Sequence, residues 1–247
     1  MKKLSLWGLV LVVLTVLSCN FTEEMTLNED GSGRMSVSFD GSELMQMAGE
    51  EMKSTNEKAV DSIISFKQML EEKKDSIAQL SPEEQEKIKK LEPFSLHMVM
   101  NPESKEMKFD LFSEFKNVAD VNDAFNAFQS ASMLNPPGGN SEQKAKMNAP
   151  EPATKVNYSF KGSSFSRSSE IVDQALFQQG LDSLQGAEMF LSGSTYTLKY
   201  HFPKRVKSVS AEDATFSADG KTMIYEVKFM DLMKDPSILD LEVELED

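Results

Sequence analysis

The chain reads as an α+β domain, with antiparallel β-hairpins forming one or two sheets and helices packed on one face, behind a cleaved signal peptide. Three observations predict this. Short stretches alternate apolar and polar residues with a period of two. Turn residues join these stretches in pairs. Segments with helical spacing fall between the pairs.

The elements follow in order. Phe21, Met25 and Leu27 share one parity and Thr22, Glu24 and Thr26 the other. Glu29-Asp30-Gly31-Ser32-Gly33 supplies a turn, and Met35, Val37 and Phe39 alternate on the return. Residues 42–91 read as helical in two or three pieces. Ser42 caps the first, with Leu44, Met45, Met47, Ala48 and Met52 as its apolar positions, and Val60, Ile63, Ile64 and Leu70 mark the second. Ser81-Pro82-Glu83-Glu84 restarts the helix with an N-cap Ser, Pro at N1 and Glu at N3. A second hairpin turns at Asn101-Pro102-Glu103-Ser104, between Leu96, Met98 and Met100 and Met107, Phe109, Leu111 and Phe115. Val121, Ala124, Phe125 and Phe128 form a helical face.

Residues 134–154 hold four of the nine Pro and no aromatic residue, which reads as a linker or excursion. The expected organisation is an N-terminal α+β subdomain over 19–133 and a C-terminal one over 155–247. In the latter, strands at 156–160 and around Phe165 lead to a helix from about Glu170 to Leu184. Tyr196, Leu198, Tyr200 and Phe202 alternate in the next strand. Ala218-Asp219-Gly220-Lys221 turns into Met223, Tyr225, Val227 and Phe229. Leu239, Leu241, Val243 and Leu245 alternate with acids, a pattern that would protect a sheet edge.

The N-terminus reads as an address. Lys2 and Lys3 precede fourteen apolar or neutral residues, Leu4 to Leu17. As a helix this run spans about 21 Å, short of a bilayer core of about 30 Å, so residues 1–18 are expected to be a signal peptide. Val16-Leu17-Ser18-Cys19 resembles the bacterial lipobox, with Leu17 looser than the usual small residue. That resemblance implies a diacylglyceryl thioether on Cys19 and cleavage just before it. Cys19 is the sole cysteine, so no disulfide competes for it. The acids Glu23-Glu24 partly resemble the export signals of Bacteroidetes surface lipoproteins; the other reading is polar positions of the first strand. The expected location is the cell envelope, at the outer membrane.

Composition excludes more than it selects. The 247 residues carry 40 acids and 26 bases, a net charge of −14. Loss of residues 1–18 leaves 40 acids against 24 bases, or −16. This balance opposes nucleic-acid binding and electrostatic adsorption to anionic lipid. One Cys and two His disfavour a Cys- or His-built metal site, and no cofactor is expected.

Two blocks resemble a known family: TLNEDGSGRMSVSF near the start, and YTLKYHFPKRVKSVS with TFSADGKTMIYEV near the end. Their layout is similar to the LppM-like bacterial lipoproteins. The resemblance rests on turn chemistry. It implies an α+β envelope domain, with lipid or glycolipid binding suggested for the family, and no catalytic residue.

No constellation points to catalysis. Ser113-Glu114-Phe115-Lys116 matches S-x-x-K but falls in a strand-like run, where Lys116 is not one helical turn from Ser113. His97 and His201 fall on polar strand faces. Asn28 to Gly33 lacks the order of a calcium loop. The sixteen Met are the least ordinary feature. Met is flexible and polarizable, so Met45, Met47, Met52, Met98 and Met100 are candidates for an apolar cleft between helix and sheet, against ordinary core packing. The expectation is a non-catalytic, membrane-anchored binding domain for lipid or another apolar ligand. The alternative is an outer-membrane assembly factor acting through protein partners.

Overall fold

The computed structural model describes residues 20–47, 59–122, 153–184 and 188–247. An eight-stranded sheet is built from β1 (Asn20–Leu27), β2 (Gly33–Asp40), β3 (Val60–Ser65), β4 (Phe94–Asn101), β5 (Glu106–Phe115), β8 (Thr195–His201), β10 (Thr215–Phe216) and β11 (Thr222–Lys228). Its order is β10-β11-β8-β1-β2-β5-β4-β3. A four-stranded sheet runs β6 (Thr154–Lys161), β7 (Ser164–Ile171), β12 (Leu241–Leu245) and β9 (Val206–Val209). The pairings are antiparallel except β1 with β8.

The α+β class holds. Period-two alternation puts Met25, Leu27, Met35, Leu111, Leu198, Tyr200 and Met223 on one face of the large sheet, all buried. The small sheet faces them with Val156, Tyr158, Phe165, Leu241 and Val243. Phe165 meets Tyr200 and Phe202 edge to face, with ring centroids 5.3 and 5.5 Å away. Short helices take the flanks: α1 (Ser42–Met47), α2 (Phe66–Glu72), α3 (Lys74–Ile77), α4 (Pro82–Lys89), α5 (Gln174–Leu184), α6 (Glu188–Leu191), α7 (Phe229–Lys234) and a 3₁₀ turn over Pro236–Leu239. Phe229 of α7 stacks on Phe21 at 4.5 Å. The Ser81–Glu84 capping box forms as its sequence requires.

Four expectations change. Residues 60–65 are strand β3, not helix. Val60, Ile63 and Ile64 are β-branched, and strand pairing with β4 outweighs a weak helical spacing. The helix expected from Glu170 starts at Gln174, because β7 runs on to Ile171 and the Asp173 carboxylate accepts from the Leu176 amide. β12 lies between β7 and β9, so its alternating acids face solvent from an interior strand rather than guard an edge. The large sheet also crosses the expected subdomain boundary: β8 and β11, from beyond 155, join β1 and β2. Residues 134–152, and the helical face beyond Asn122, lie outside the described residues.

Candidate functional site

The most unusual chemistry lies between the sheets. Glu23 falls on the apolar face of β1, between Phe21 and Met25, and is 0% exposed. Arg167 occupies the matching inner face of β7 at 4% exposure. Its Nε donates to Glu23 Oε1 at 3.3 Å and its Nη2 to Oε2 at 3.4 Å, while Nη1 reaches the Leu239 carbonyl at 3.3 Å. Three tyrosines complete the shell. The hydroxyls of Tyr158 and Tyr196 each donate to the carboxylate at 2.9 Å, and that of Tyr200 also donates to Oε1. Strands β1, β6, β7 and β8 therefore meet on one carboxylate, with every side-chain hydrogen-bonding group engaged as burial demands.

This cluster is built to hold rather than to react. Burial, then the Glu23 charge, push all three tyrosine hydroxyls well above their ordinary range, so they remain donors. Burial alone would lower Arg167, but the Glu23 charge and then the tyrosines raise it well above its usual value. The tyrosines make this testable. The chain has four Tyr, and Tyr225, the fourth, is half-buried with its hydroxyl on the Ile238 carbonyl. The folded pKa values of Tyr158, Tyr196 and Tyr200 lie above the unfolded value of about 10. The folded state therefore keeps protons that the unfolded state loses, and stability falls as pH rises past that value. In a spectrophotometric titration, ionisation of Tyr158, Tyr196 and Tyr200 is expected to coincide with alkaline unfolding. Their smooth ionisation in a still-folded chain would disprove the sealed cluster.

The Met-rich surface is separate. The β4–β5 register pairs Met98 with Phe109 and Met100 with Met107, and Phe109 pairs with Phe39 of β2. On the other side β3 brings Val60 to Met100 and Ile64 to Leu96. These residues share the inner face of the large sheet, and none is fully buried. Val60 and Ile64 are 37% and 38% exposed. Met45 of α1 is buried, and α1 packs against β5. The Met47 side chain and all of Met52 lie outside the described residues. The arrangement is a half-open apolar face rather than a closed cleft. A groove of about 610 Å³ opens elsewhere, lined by Thr26, Asn28, Arg34, Glu114 and Lys116 among others. A pocket of about 150 Å³ lies between α5 and α7.

The outer face of the large sheet is polar. His201 joins Thr222 at 3.0 Å and Glu24 at 2.8 Å, and Lys199 also reaches Glu24 at 3.0 Å. Partial burial would raise Glu24, but hydrogen bonds from His201 and Lys199 leave it below its ordinary value. His97 contacts Asp61 at 2.8 Å. Neighbouring Asp110 is raised by burial against the pull of Arg34 and His97, and its Oδ1 is buried without a hydrogen-bond partner.

The remaining sequence candidates are placed plainly. Ser113 is buried in β5 and donates to the Glu114 carbonyl at 3.2 Å, while Lys116 is exposed beyond the strand. The Asn28–Gly33 segment is a hairpin turn: Asp30 accepts from the Ser32 amide at 3.0 Å, and Gly31 takes φ 81°. Among the described residues, no group of three or more His, Cys, Asp or Glu is placed to hold a metal ion. Among them also, no helix is long and apolar enough to cross a membrane. Cys19 lies outside the described residues, immediately before β1. The Glu23 cluster was the feature missed by sequence. Its signal was parity, since an acid stood at the second position of the run Phe21, Glu23, Met25, Leu27.

Comparison with known proteins adds little. No protein-family model matches the chain, and no curated protein matches it. Among solved structures, the folded domain of the Mycobacterium tuberculosis LppM protein, determined by NMR, aligns over 93% of this chain and 91% of its own. The TM-score is 0.40 and the identity 8%, a likeness too weak to carry an argument.

Proposed function

We propose that the chain is an envelope lipoprotein, held at the outer membrane by acyl chains on Cys19, whose domain binds lipid or another apolar molecule without catalysis. The lipobox-like Val16-Leu17-Ser18-Cys19 supports the anchor. The observation that carries the binding reading is the half-open apolar face of β3, β4 and β5. With Phe39 of the neighbouring β2, it gathers Met98, Met100, Met107, Phe109 and Val60 on one surface. Thioether side chains repack at low cost, which suits a surface receiving acyl chains of varied shape. The same face opens where the anchor enters. Asn20 pairs with Asp40 and Asp40 with Lys108, the residue beside Met107. The most reactive-looking group, Glu23, is sealed, which favours a role without chemistry.

A second reading has its own support. β3 is an edge of the large sheet, and Ile63 is 65% exposed there. An exposed β-branched edge can pair with a strand of a partner protein in an assembly role.

Two measurements on the chain purified from an envelope test the proposal. Intact mass is expected to show loss of residues 1–18 and a diacylglyceryl adduct on Cys19. Native mass spectrometry is expected to show a stoichiometric apolar ligand that Met100→Glu removes. A ligand-free mass for the parent chain would sink a tight carrier and turn attention to crosslinking along β3.

A further inference from the structure

The register of the large sheet defines which end of the domain meets the anchor. Asn20 opens β1 and pairs with Asp40 and Thr195, and Thr195 pairs with Lys228. Helix α7 begins directly after Lys228 and caps this end. The opposite end holds the charged turn with Glu29 and Asp30.

The small sheet reaches the same end. β7 starts at Ser164, sets Phe165 against Tyr200 and Phe202, passes Arg167 on Glu23, and finishes at Ile171. It therefore runs opposite to β1 and ends where β1 begins. At a rise of about 3.3 Å per residue, Ile171 lies about 13 Å along β7 from Arg167, and Asn20 about 10 Å along β1 from Glu23. There Ile171 is 39% exposed and the next residue, Val172, 51%. Helix α5 follows without one fully buried residue. Its Leu181 and Leu184 meet Met230 and Lys234 of α7 across the 150 Å³ pocket. Exposed aliphatic side chains and a superficial amphipathic helix thus crowd the end from which Cys19 departs.

We propose that the domain rests on the bilayer through this end, with Ile171 and Val172 dipping into the boundary between headgroups and acyl chains. The inference rests on lipidation of Cys19, and it names the orientation that lipidation imposes. Cys19 is bonded directly to Asn20, and one peptide step spans about 3.8 Å, so the glycerol-bearing residue cannot stand far from β1. That tether holds the end at the interface at high effective concentration. Two aliphatic side chains then suffice to select an orientation, although they would not bind a membrane alone. The net charge of −16 left after loss of residues 1–18 supplies no attraction to anionic lipid, so the contact is apolar.

The test uses the lipidated full chain in phosphatidylcholine vesicles. Cys19 is the sole cysteine and its sulfur is consumed by the thioether, so Val172→Cys or Glu29→Cys gives a single labelling site. Both residues are exposed, so both variants are expected to fold as the parent does. An environment-sensitive fluorophore at 172 is expected to shift to the blue and to be quenched about two-fold or more by brominated lipid, consistent with burial in the interface. The same label at 29 should be unaffected. Equal behaviour at the two positions in a lipidated, vesicle-bound chain overturns the orientation and leaves the anchor standing. Shielding at 172 without lipid quenching also overturns it and assigns the surface to a second copy. A mass lacking the lipid adduct overturns the anchor and this inference together.

Discussion

Glu23→Ala is expected to destabilise the fold by about 3–5 kcal/mol, because it leaves a buried cation without its partner. The substitution strands the guanidinium of Arg167, which is 4% exposed, and removes the acceptor for Tyr158, Tyr196 and Tyr200. None of these groups can turn to water without parting the sheets. The pair itself adds little net stability, since desolvating two charges offsets most of their attraction. The double variant Glu23→Met with Arg167→Met is therefore expected to recover much of the loss, although three hydroxyls still lack an acceptor. Urea unfolding followed by near-ultraviolet circular dichroism checks both, because three of the four tyrosines report from the cluster. A Glu23→Ala chain within about 1 kcal/mol of the parent, the scale of an ordinary substitution, would disprove the charge burial.

This cluster shows where pattern reading stops. Alternation placed Tyr158, Tyr196 and Tyr200 on inward faces, and the structure agrees. Alternation also placed Glu23 inward, yet an acid beside a lipidation motif invites an explanation from export signals or surface polarity. The partner that makes burial tolerable, Arg167, lies 144 residues away. No local period reports such a pair, since it exists only once two sheets face one another. The Met candidates divide in the same way. The β4–β5 hairpin register was local, so Met98 and Met100 fall on one face as read. Their exposure depends on which strands the second sheet covers, and that is a tertiary matter.

The fold itself divides along the same line. The hairpins β1–β2, β4–β5 and β6–β7 follow from turn chemistry and alternation within about twenty residues. The parallel pairing of β1 with β8 joins residues about 175 apart. That pairing merges the two expected halves into one sheet. β3 was misread because Val60, Ile63 and Ile64 satisfy a helical spacing as well as an edge strand with two apolar positions on one face. Short apolar runs leave that ambiguity, and the available edge of β4 resolved it.

Gly33→Ala is expected to cost about 3 kcal/mol, through crowding that the surrounding strands cannot relieve. Gly33 opens β2, paired with Leu27 on one side and Phe115 on the other. A Cβ there would fall on the backbone carbonyl oxygen of Thr26 and lie 2.7 Å from Phe115 Cζ. The ring could rotate, but the carbonyl belongs to β1 and could retreat only if the hairpin opened. Gly31, two residues earlier, is the internal control. Its φ of 81° penalises any side chain, yet a Cβ there meets only Phe160 Cδ1 at 3.9 Å. Gly31→Ala should therefore cost about 1–2 kcal/mol from left-handed backbone strain alone. The ranking matters more than either value. Strain at a turn tip is local, whereas separating Thr26 from Gly33 pulls on the strand that carries Glu23 into the cluster. Gly33→Ala should accordingly lower the urea midpoint further than Gly31→Ala and weaken the tyrosine dichroism before the main transition. The opposite ranking would mean that β1 and β2 can spread at this end without disturbing the buried carboxylate.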